Sequence, residues 1–377
     1  MPVCPFPMTE IDSITALLLS PLVAYLGLQL WQSGILLRYK HQYQPEPTHW
    51  PTISIWIAAR NEETNIEACL RAIQAMDYPA DAIQILVGND QSTDRTSEIV
   101  RSMALEDPRI QLVEIEDRPD GLKAKARVMA QLDEHAQGDF YLITDADVCV
   151  APSWAKGLLR SFKPETGVVS GTTVVSGQDA NAALQGLDWC YFMGMLNTIS
   201  NSGVPATAVG NNMAIRKEAY WQTGGYRNIQ FSITEDYKLY SEVCQYGWKW
   251  DNIMQPEVLA TSTEIKGFIP LLHQRKRWLS GGRELPWYWW ILFGVFAAFY
   301  FALPGLLLLG FTRALAFWFI KWSLQSWQIR RIHSLLGLTK PSWIYLLAYE
   351  PYLWVLTIST AIFFVLPIKT NWKSRRY

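Results

Sequence analysis

The sequence is poor in cysteine and lacks the patterns that cysteines form in disulfide-bonded or zinc-binding domains. Its five cysteines are widely spaced and include no Cys-x-x-Cys pair, which argues against a disulfide framework and a structural zinc site and favours a reducing compartment. The turn after the first predicted strand, Arg60 to Glu63, also lacks Gly-x-Gly-x-x-Gly. A dinucleotide-dependent oxidoreductase is therefore not expected, because it needs those glycines to approach the pyrophosphate.

The two ends of the chain each have little charge of one sign: the N-terminal end lacks basic residues, and the C-terminal end has a single acidic residue. Residues 1–37 contain two acidic and no basic side chains, whereas residues 285–377 contain nine basic and one acidic. The segment between them, 38–284, holds the remaining 31 acidic and 24 basic residues. The net charge of −1 over 377 residues thus conceals an acidic middle region and a basic, hydrophobic C-terminal region. A nucleic-acid partner is disfavoured, because the long charged region is net acidic.

One uncharged run near the N-terminus is long enough to span a membrane. Ile14 to Leu37 comprises 24 residues without charge, and about 20 apolar residues suffice to cross the hydrocarbon core. No basic segment precedes the run, and it is longer than the apolar core of a signal peptide, so it predicts a transmembrane helix. Arg38, Lys40 and His41 follow it directly. The positive-inside rule therefore predicts that the chain is cytoplasmic from residue 38 onward.

Further apolar runs lie in the C-terminal region. Trp287 to Gly310 is uncharged over 24 residues, and Trp343 to Leu366 is interrupted only by Glu350, so both are long enough to span. Between them, Ala314 to Ile329 contains one lysine and fits either a span or an interfacial amphipathic helix. The number of crossings decides the side of the basic tail, Lys369 to Arg376. Charge favours an even number, which keeps this tail inside.

The middle region alternates short apolar strands with helical segments. The predicted strands are Ile53 to Ala59, Ile83 to Val87, Ile110 to Ile115 and Phe140 to Thr144. This alternation predicts an α/β domain with a mostly parallel sheet. Ligands of such sheets bind beyond the carboxyl ends of the strands. Polar clusters fall at these positions, at Arg60 to Glu62 and at Asn89 to Asp94.

A candidate metal site follows the fourth predicted strand. Asp145-Ala146-Asp147 places two carboxylates two residues apart, and residues i and i+2 of an extended strand end face the same side. Both carboxylates can then point at one Mg2+ or Mn2+ that also binds substrate phosphates. An isolated Asp-x-Asp pair is more often a strand-end cap than a metal site, so the assignment depends on its context.

Two further motifs carry groups suited to group transfer. Thr234-Glu235-Asp236 precedes a helical segment. It fits a helix N-cap with two acids in the first turn, and it also fits a carboxylate base for an acceptor hydroxyl. Gln274 to Trp278 lies shortly before the C-terminal apolar region. Its basic residues suit anionic lipid headgroups, or an arginine that grips a pyrophosphate beside a tryptophan at membrane level.

Together and in this order, the motifs resemble membrane-integrated family 2 glycosyltransferases with a GT-A fold. The motifs that carry the resemblance are Ala59-Arg60-Asn61-Glu62, Asn89 to Asp94, Lys125, Asp145-Ala146-Asp147, Gly210-Asn211-Asn212, Gly224-Gly225-Tyr226, Thr234-Glu235-Asp236, and Gln274 with Arg277-Trp278. The resemblance covers about Thr52 to Glu284. It implies an N-terminal transmembrane helix in 1–37, a cytoplasmic α/β GT-A catalytic domain with interface helices in 38–284, and about three or four transmembrane or interfacial helices with a basic tail in 285–377.

The resemblance also implies roles for individual residues. The nucleotide sugar would be bound by Ala59, Arg60, Glu62, Asp90, Lys125, Asp145, Gln274, Arg277 and Trp278. The acceptor would be faced by Gly210, Asn211, Asn212, Glu235 and Trp278. Asp236 would be the general base, and Asp145 and Asp147 would hold Mg2+ or Mn2+. Many members have Pro at the position of Ala59 and Asp at that of Asn89, so the details of nucleoside recognition stay open.

These roles imply an inverting, metal-dependent hexosyltransferase that uses a nucleotide sugar, expected to be a UDP-sugar. With four or five predicted spans, one copy offers little material for a polysaccharide channel, so the preferred acceptor is a membrane lipid such as a sphingolipid, diacylglycerol, polyprenol or carotenoid. A processive polysaccharide synthase of the cellulose or hyaluronan type is the alternative. A transporter or non-catalytic nucleotide-binding protein is a third and less favoured class, because it would need intramembrane charges to line a pathway and only Glu350 and Lys321 are available. The expected setting is a bacterial inner membrane.

Overall fold

The computed structural model describes residues 8–118, 121–230, 232–369, 371–372 and 375–376. The predicted basic tail, Lys369 to Arg376, therefore lies partly outside the described residues, as does the beginning of the N-terminal region. The strands are β1 Ile53–Ala59, β2 Ile83–Asn89, β3 Ile110–Glu114, β4 Phe140–Asp145, β5 Val148–Val150, β6 Thr166–Ser170, β7 Thr172–Ser176, β8 Asn212–Arg216, β9 Lys249–Asn252, β10 Leu259–Thr263, β11 Asn371–Trp372 and β12 Arg375–Arg376.

Helices flank these strands and dominate both ends of the chain. They are α1 Met8–Arg38, α2 Ile66–Gln74, α3 Thr96–Glu106, α4 Ala124–Leu132, α5 Trp154–Leu159, α6 Ala180–Asn201, α7 Lys217–Gln222, α8 Gly225–Asn228, α9 Glu235–Gln245, α10 Phe268–Gly281, α11 Trp287–Leu309, α12 Phe311–Leu335 and α13 Trp343–Val365. The α/β architecture predicted from the strand and helix alternation is confirmed.

The central sheet has seven strands in the order β3-β2-β1-β4-β8-β6-β9. The four strands β3, β2, β1 and β4 are mutually parallel, with Ile53 opposite both Ile83 and Phe140. β8 runs antiparallel to both of its neighbours, a feature that the strand alternation did not predict. The parallel half brings the carboxyl ends of β1, β2 and β4 to one edge, where the polar loops predicted from the sequence meet.

Two apolar cores cover the two faces of the sheet. Successive residues of β1 alternate between them, since Ile55 and Ile57 belong to one core and Trp56 to the other. All three are at most 1% exposed, as expected for a strand covered by helices on both faces. Trp56 stacks on Tyr141 of β4, with ring centroids 4.5 Å apart. This rigid packing fixes the strand ends from which the site loops project.

A second sheet, β5-β10-β7, adjoins the end of β4. β4 ends at Asp145, and Ala146 and Asp147 form the turn into β5. The structure thus corrects the expectation that Asp145 and Asp147 share one face of an extended strand. Since the chain turns here to join another sheet, the two carboxylates are presented by a strand end and a turn.

Three helices of the described residues are long and apolar enough to cross a membrane. They are Ser13–Arg38, Trp287–Leu308 and Trp343–Val365. The first two pack antiparallel, because Gly305 near the end of α11 approaches Leu18 near the start of α1, while Trp289 and Trp31 belong to one cluster at the other end. α1 and α11 therefore pack side by side in opposite directions, with Trp31 and Trp289 at the end nearest the α/β domain.

The segment for which span and interfacial helix were both open is the 25-residue helix α12. It runs parallel to α1, since Gln328 donates to the Gln29 carbonyl at 2.7 Å and Arg331 donates to the Leu36 carbonyl at 3.3 Å. α12 thus lies beside a candidate span along much of its length. Its internal lysine, Lys321, lowers the mean hydropathy of the helix even though the side chain is buried. Hydropathy alone therefore does not mark this helix as a span.

α13 starts beside α12 and ends beside α10. Lys321 pairs with Glu350 of α13 at 2.5 Å, and the side chains are 0% and 4% exposed. At the other end, Lys276 of α10 donates to the carbonyl oxygens of Phe363 and Leu366 at 2.9 and 2.7 Å. The two charges therefore neutralise one another between the helices. The contact with Lys276 also anchors the end of α13 to the α/β domain.

Candidate active site

The loops after β1 and β2 interlock at the carboxyl edge of the sheet. The Asp90 amide donates to the Ala59 carbonyl at 2.9 Å, and Arg60 donates to the Asp90 carbonyl at 2.5 Å. Asn61 and Gln91 both adopt a positive φ, 52° and 57°, which Asn tolerates better than most residues. These contacts place Ala59, Arg60 and Asp90 together, as the sequence motifs predict.

Two acids of these loops, Glu62 and Asp90, are buried and hydrogen-bonded. Glu62 is 7% exposed, and Asn65 donates to its Oε2 at 2.9 Å. Asp90 is 3% exposed, and Arg127 donates to its Oδ1 at 2.6 Å. Arg127 also pairs with Asp117. Sequence reasoning missed Arg127. The one signal that could have indicated it is its position two residues after Lys125.

Lys125 connects four of the predicted motifs. Its Nζ donates to Asp145 Oδ1 at 2.6 Å and to the Gly210 carbonyl at 2.8 Å, and it lies 3.8 Å from Glu235 Oε1. Burial lowers the pKa of Lys125, but Asp145 and Glu235 outweigh this effect and raise it to about 12. Lys125 therefore stays a cation at the point where the strand-end acid and the Thr-Glu-Asp motif converge.

Asp236 is oriented by two backbone amides. The Gly210 amide donates to its Oδ2 and the Tyr237 amide to its Oδ1, each at 2.8 Å. A Cβ on residue 210 would lie 2.7 Å from Asp236 Cβ and 2.9 Å from its Oδ2. Gly210 is therefore needed for this close approach, which explains the glycine of the Gly-Asn-Asn motif. Both oxygens of Asp236 keep lone pairs for another donor.

Glu235 lies in a more enclosed environment. Burial and, to a smaller extent, Asp236 raise the pKa of Glu235 to about 7 against the opposing effect of Lys125. Tyr226, from the Gly-Gly-Tyr motif, is 3% exposed, and its pKa is raised well above the usual value by burial and then by Glu235 and Asp236. Glu235 can therefore hold a proton near neutral pH, in a cluster of alternating charge.

The Gln274 to Trp278 motif meets this cluster from α10. A Cβ on Gly281, at the end of α10, would lie 2.3 Å from Thr234 Cγ2, so α10 packs directly on the start of α9. Arg277 is close enough to lower the pKa of Glu235. Gln274 has a buried side-chain oxygen with no hydrogen-bond partner in the described chain. The structure thus brings Arg277 close to Glu235, which itself lies 3.8 Å from Lys125. About 150 residues of sequence separate Lys125 from Arg277.

Trp278 forms one wall of an aromatic cluster. Its ring lies 5.4 Å from that of Trp189, and it stacks on Phe192 at 6.3 Å. Arg275 lies over the Trp278 ring, with its guanidinium carbon 4.3 Å from the ring centroid. Arg275 in turn pairs with Asp188 of α6 at 2.5 Å. Sequence reasoning did not find Asp188, because no local pattern indicates which acid Arg275 reaches.

Asn211 and Asn212 turn into the fold. Thr173 donates to Asn211 Oδ1 at 2.8 Å, and Trp154 donates to Asn212 Oδ1 at 2.8 Å. Asn212 is 0% exposed and its amide donates to the carbonyls of Thr172 and Val258. Because Trp154 of α5, Thr172 of β7 and Val258 just before β10 enclose it, the Asn212 side chain has no surface from which to contact an acceptor. Its role in the structure is to join the two sheets.

Asp145 and Asp147 fit a divalent cation that is completed by substrate. The described residues contain no group of three His, Cys, Asp or Glu side chains arranged to hold a metal. Both aspartates lie near Cys69, whose pKa is raised well above its usual value by burial, then by Cys149, Asp147 and Asp145. The Asp145 side chain is 37% exposed. Two partly open carboxylates match Mg2+ or Mn2+ sites in which phosphates supply further oxygens.

Comparison with known proteins yields a family and several relatives. The model of glycosyl transferase family 21 matches residues 14–370. Beta-monoglucosyldiacylglycerol synthase of Synechocystis sp. is 28% identical over 253 residues, which cover 64% of this chain and 50% of that protein. The 4,4'-diaponeurosporenoate glycosyltransferase of Staphylococcus aureus is 26% identical over 215 residues, 55% of each chain. This chain spans about half the length of both relatives.

A solved structure resembles nearly the whole chain. The mannosyltransferase PcManGT from Pyrobaculum calidifontis, in complex with GDP-Man and Mn2+, superposes with a TM-score of 0.61 at 19% identity, covering 94% of this chain and 99% of that one. At this identity the likeness concerns the fold. It confirms the predicted GT-A fold, and the family match confirms the predicted resemblance to membrane glycosyltransferases.

Proposed function

The chain belongs to glycosyl transferase family 21, and we propose that it is an inverting hexosyltransferase that moves one sugar from a nucleotide sugar to a hydroxyl group of a membrane lipid. The observation that carries this proposal is the convergence on Lys125. Asp145, Gly210 and Glu235 all lie within 3.8 Å of its Nζ, and Gly210 in turn binds Asp236. Donor-side and acceptor-side motifs thus share one cation.

Asp236 is the proposed general base. An alcohol attacking the anomeric carbon must lose its proton, and a carboxylate within hydrogen-bond reach can accept it. The amides of Gly210 and Tyr237 fix the Asp236 carboxylate while leaving it lone pairs for the acceptor hydroxyl. With a single base on the face opposite the leaving group, the sugar is displaced in line and its configuration inverts.

The proposed donor site lies between the interlocked strand loops and α10. Glu62 and Asp90 would contact the nucleoside, which we propose to be uridine, and Arg127 would hold the Asp90 carboxylate in place. Lys125 and Arg277 would stabilise the negative charge that develops on the diphosphate. Mg2+ or Mn2+, when bound at Asp145 and Asp147, would add positive charge to the same diphosphate.

A lipid acceptor is supported by the position of the site beside the membrane helices. The aromatic cluster of Trp278, Trp189 and Phe192 continues through Trp289 into α11. An acceptor hydroxyl can therefore reach Asp236 while its apolar part stays among apolar side chains. The names of the two relatives, beta-monoglucosyldiacylglycerol synthase and 4,4'-diaponeurosporenoate glycosyltransferase, point the same way. A processive polysaccharide synthase is the second candidate.

We propose that the catalytic domain faces the cytoplasm of a bacterial cell. Arg38 is the last residue of the first candidate span and Lys40 lies just after it, and basic residues mark the cytoplasmic side. The bonds from Lys276 to the end of α13 keep that end beside the catalytic domain. This arrangement supports the even number of crossings that the charge of the C-terminal region favours.

The test is transfer by membranes that contain the protein. Membranes are incubated with labelled nucleotide sugars, and label is followed in solvent-extractable lipid, in polymer and as free sugar. We expect label in the lipid fraction, lost on chelation of divalent metal and in Asp147→Ala. Asp81→Ala, an exposed acid at the amino end of β2, is the matched control and should retain activity. Label in long polymer would favour the second candidate, and transfer that survives both chelation and Asp147→Ala would contradict the metal assignment.

A further inference from the structure

A groove between α12 and α13 contains two adjoining cavities away from the candidate active site. The first has a volume of about 580 Å³ and is lined by the basic side chains of Arg330, Arg331 and Lys340 together with Trp322 and Trp343. The second has a volume of about 600 Å³ and is almost wholly apolar. None of the proposed donor, base or metal residues lines either cavity.

The first cavity concentrates positive charge without compensation. Within the described part of the chain, no carboxylate lies within ion-pair distance of Arg330, Arg331 or Lys340. Arg330 is held in position, since it donates to the Pro341 carbonyl at 2.9 Å and its guanidinium lies 4.6 Å from the Trp343 ring centroid. Each guanidinium has five N–H donors, so donors remain for an anion. The cavity therefore presents basic donors between the aromatic side chains of Trp322 and Trp343.

The second cavity continues the groove in an apolar direction. On α12 its residue Trp318 lies about one helical turn before Trp322 of the first cavity. On α13 its residue Ile344 directly follows Trp343. Glu350 also lines the second cavity, but its pairing with Lys321 removes its net charge. A single elongated molecule can therefore occupy a basic end and an apolar end at once.

The basic end lies at the catalytic-domain end of the helices. Arg331 donates to the Leu36 carbonyl, two residues before α1 ends. Tryptophan and basic side chains at such a position are those that contact lipid headgroups. Trp318 is 13 residues from Arg331 along α12, a distance of roughly 20 Å at 1.5 Å per residue. The apolar cavity therefore extends toward the acyl-chain region.

We propose that this groove binds an anionic glycerophospholipid from the membrane leaflet nearest the catalytic domain. Its phosphate and headgroup lie between Arg330, Arg331 and Lys340, flanked by Trp322 and Trp343, and one acyl chain runs along the apolar cavity. A soluble anion would leave the apolar cavity empty, and a zwitterionic lipid would leave the excess positive charge uncompensated. The site is separate from the proposed acceptor site, and the proposal does not depend on the proposed function.

The test measures lipid binding rather than turnover. Full-length protein purified in detergent is titrated with phosphatidylglycerol or phosphatidylcholine, and bound lipid is counted by native mass spectrometry. We expect the protein to retain phosphatidylglycerol, and the triple variant Arg330→Gln/Arg331→Gln/Lys340→Gln to lose affinity by about tenfold to a hundredfold at low salt, because each basic side chain near an anionic lipid contributes roughly fivefold. Ala348→Trp, which fills the apolar cavity, should weaken the same binding without changing charge.

Two controls keep the result specific. Arg313→Gln removes an exposed charge near the opposite end of α12 and should bind lipid as the unchanged protein does. Thermal unfolding and nucleotide binding verify that each variant is folded. Equal retention of phosphatidylcholine, unchanged affinity in the triple variant or an equal loss in Arg313→Gln would overturn the proposal. Displacement of phosphatidylglycerol by inorganic phosphate would also overturn it, in favour of a soluble-anion site.

Discussion

The sheet edge and the helical region both bury opposite charges, but they arrange them differently. At the sheet edge, Lys125 faces Asp145 at 2.6 Å and Glu235 at 3.8 Å, and Asp145 remains partly open to solvent. Between the helices, Glu350 is the one acid paired with Lys321 among the residues that the structure describes, and both are almost completely buried. One cation at the sheet edge is therefore shared among acids from different loops, whereas the helical cation pairs with one described acid and lies over the Tyr300 ring.

This difference fits the proposed catalytic role of the sheet edge and a structural role of the helical pair. A shared cation lets one carboxylate exchange partners when a diphosphate or an acceptor enters, so its surroundings can change during a reaction cycle. An isolated buried pair has no such freedom, because each ion depends on the other to offset its desolvation. Mutations at the sheet edge should therefore affect turnover more than stability. Mutations of the helical pair should do the reverse.

The largest expected effect concerns Asp236. Asp236→Asn keeps an acceptor for the Gly210 amide but removes the proton-accepting carboxylate, so we expect transfer to fall by about a thousandfold, within the range of general-base contributions. Nucleotide binding and the thermal unfolding midpoint should stay close to those of the unchanged protein. Turnover is measured with labelled nucleotide sugar, and binding by calorimetry. Residual turnover above about a tenth of the original would rule out Asp236 as the general base, because the proton transfer would not be limiting.

The helical pair provides the reverse case. Glu350→Gln leaves Lys321 buried without a counter-charge, and breaking such a pair lowers the free energy of unfolding by about 3–5 kcal/mol. The double variant Lys321→Met/Glu350→Leu removes both charges and should remain within about 1 kcal/mol of the original, since apolar replacement of a buried pair is often neutral. Unfolding in detergent measures both. If the single and double variants are equally stable, Lys321 is hydrated and the two regions do not differ as described.

The sequence predicted more of the sheet edge than of the helical packing. β1 was predicted with its observed bounds. Lys125, Asp145 and Asp236 were expected in one site from the family resemblance, and the structure places Lys125 beside Asp145 and Gly210, and Gly210 beside Asp236. The partner of Arg275 was not predictable, since Asp188 lies 87 residues away and no periodicity connects them. The buried role of Asn212 was missed for a related reason. Its side-chain partners, Trp154, Thr172 and Val258, come from three separate segments of the chain that no local pattern connects.

In the helical region, length and hydropathy identified the candidate spans but not their arrangement. α12 was left between span and interfacial helix because Lys321 interrupts its apolar run. The structure shows that this lysine faces Glu350, which hydropathy cannot reveal because it ignores the partner. The inward-facing Gln328, bonded to the Gln29 carbonyl, is a similar case. A polar residue in an apolar helix thus indicates a helix–helix contact, but only the fold indicates which one.

The smallest expected effect sharpens the comparison within the sheet edge itself. Burial raises the pKa of Glu235 to about 7 in the folded protein, from an ordinary value of 4.5. An acid with a raised pKa favours folding while it is protonated, so its contribution is complete below about pH 4.5 and is lost as the pH rises through 7. The free energy of unfolding should therefore fall between pH 5 and pH 8.

Glu235→Gln keeps the neutral shape at every pH and should remove this loss. We expect the variant to match the original protein near pH 5 and to be more stable at pH 8 by about 1–3 kcal/mol, since one pKa unit corresponds to about 1.4 kcal/mol. Thermal unfolding of the metal-free protein across this range measures the difference, with the exposed Glu165→Gln as the matched control. Parallel curves for original and variant would mean that Lys125 alone offsets the desolvation of Glu235. The sheet edge would then resemble the helical pair, with each charge committed to one partner.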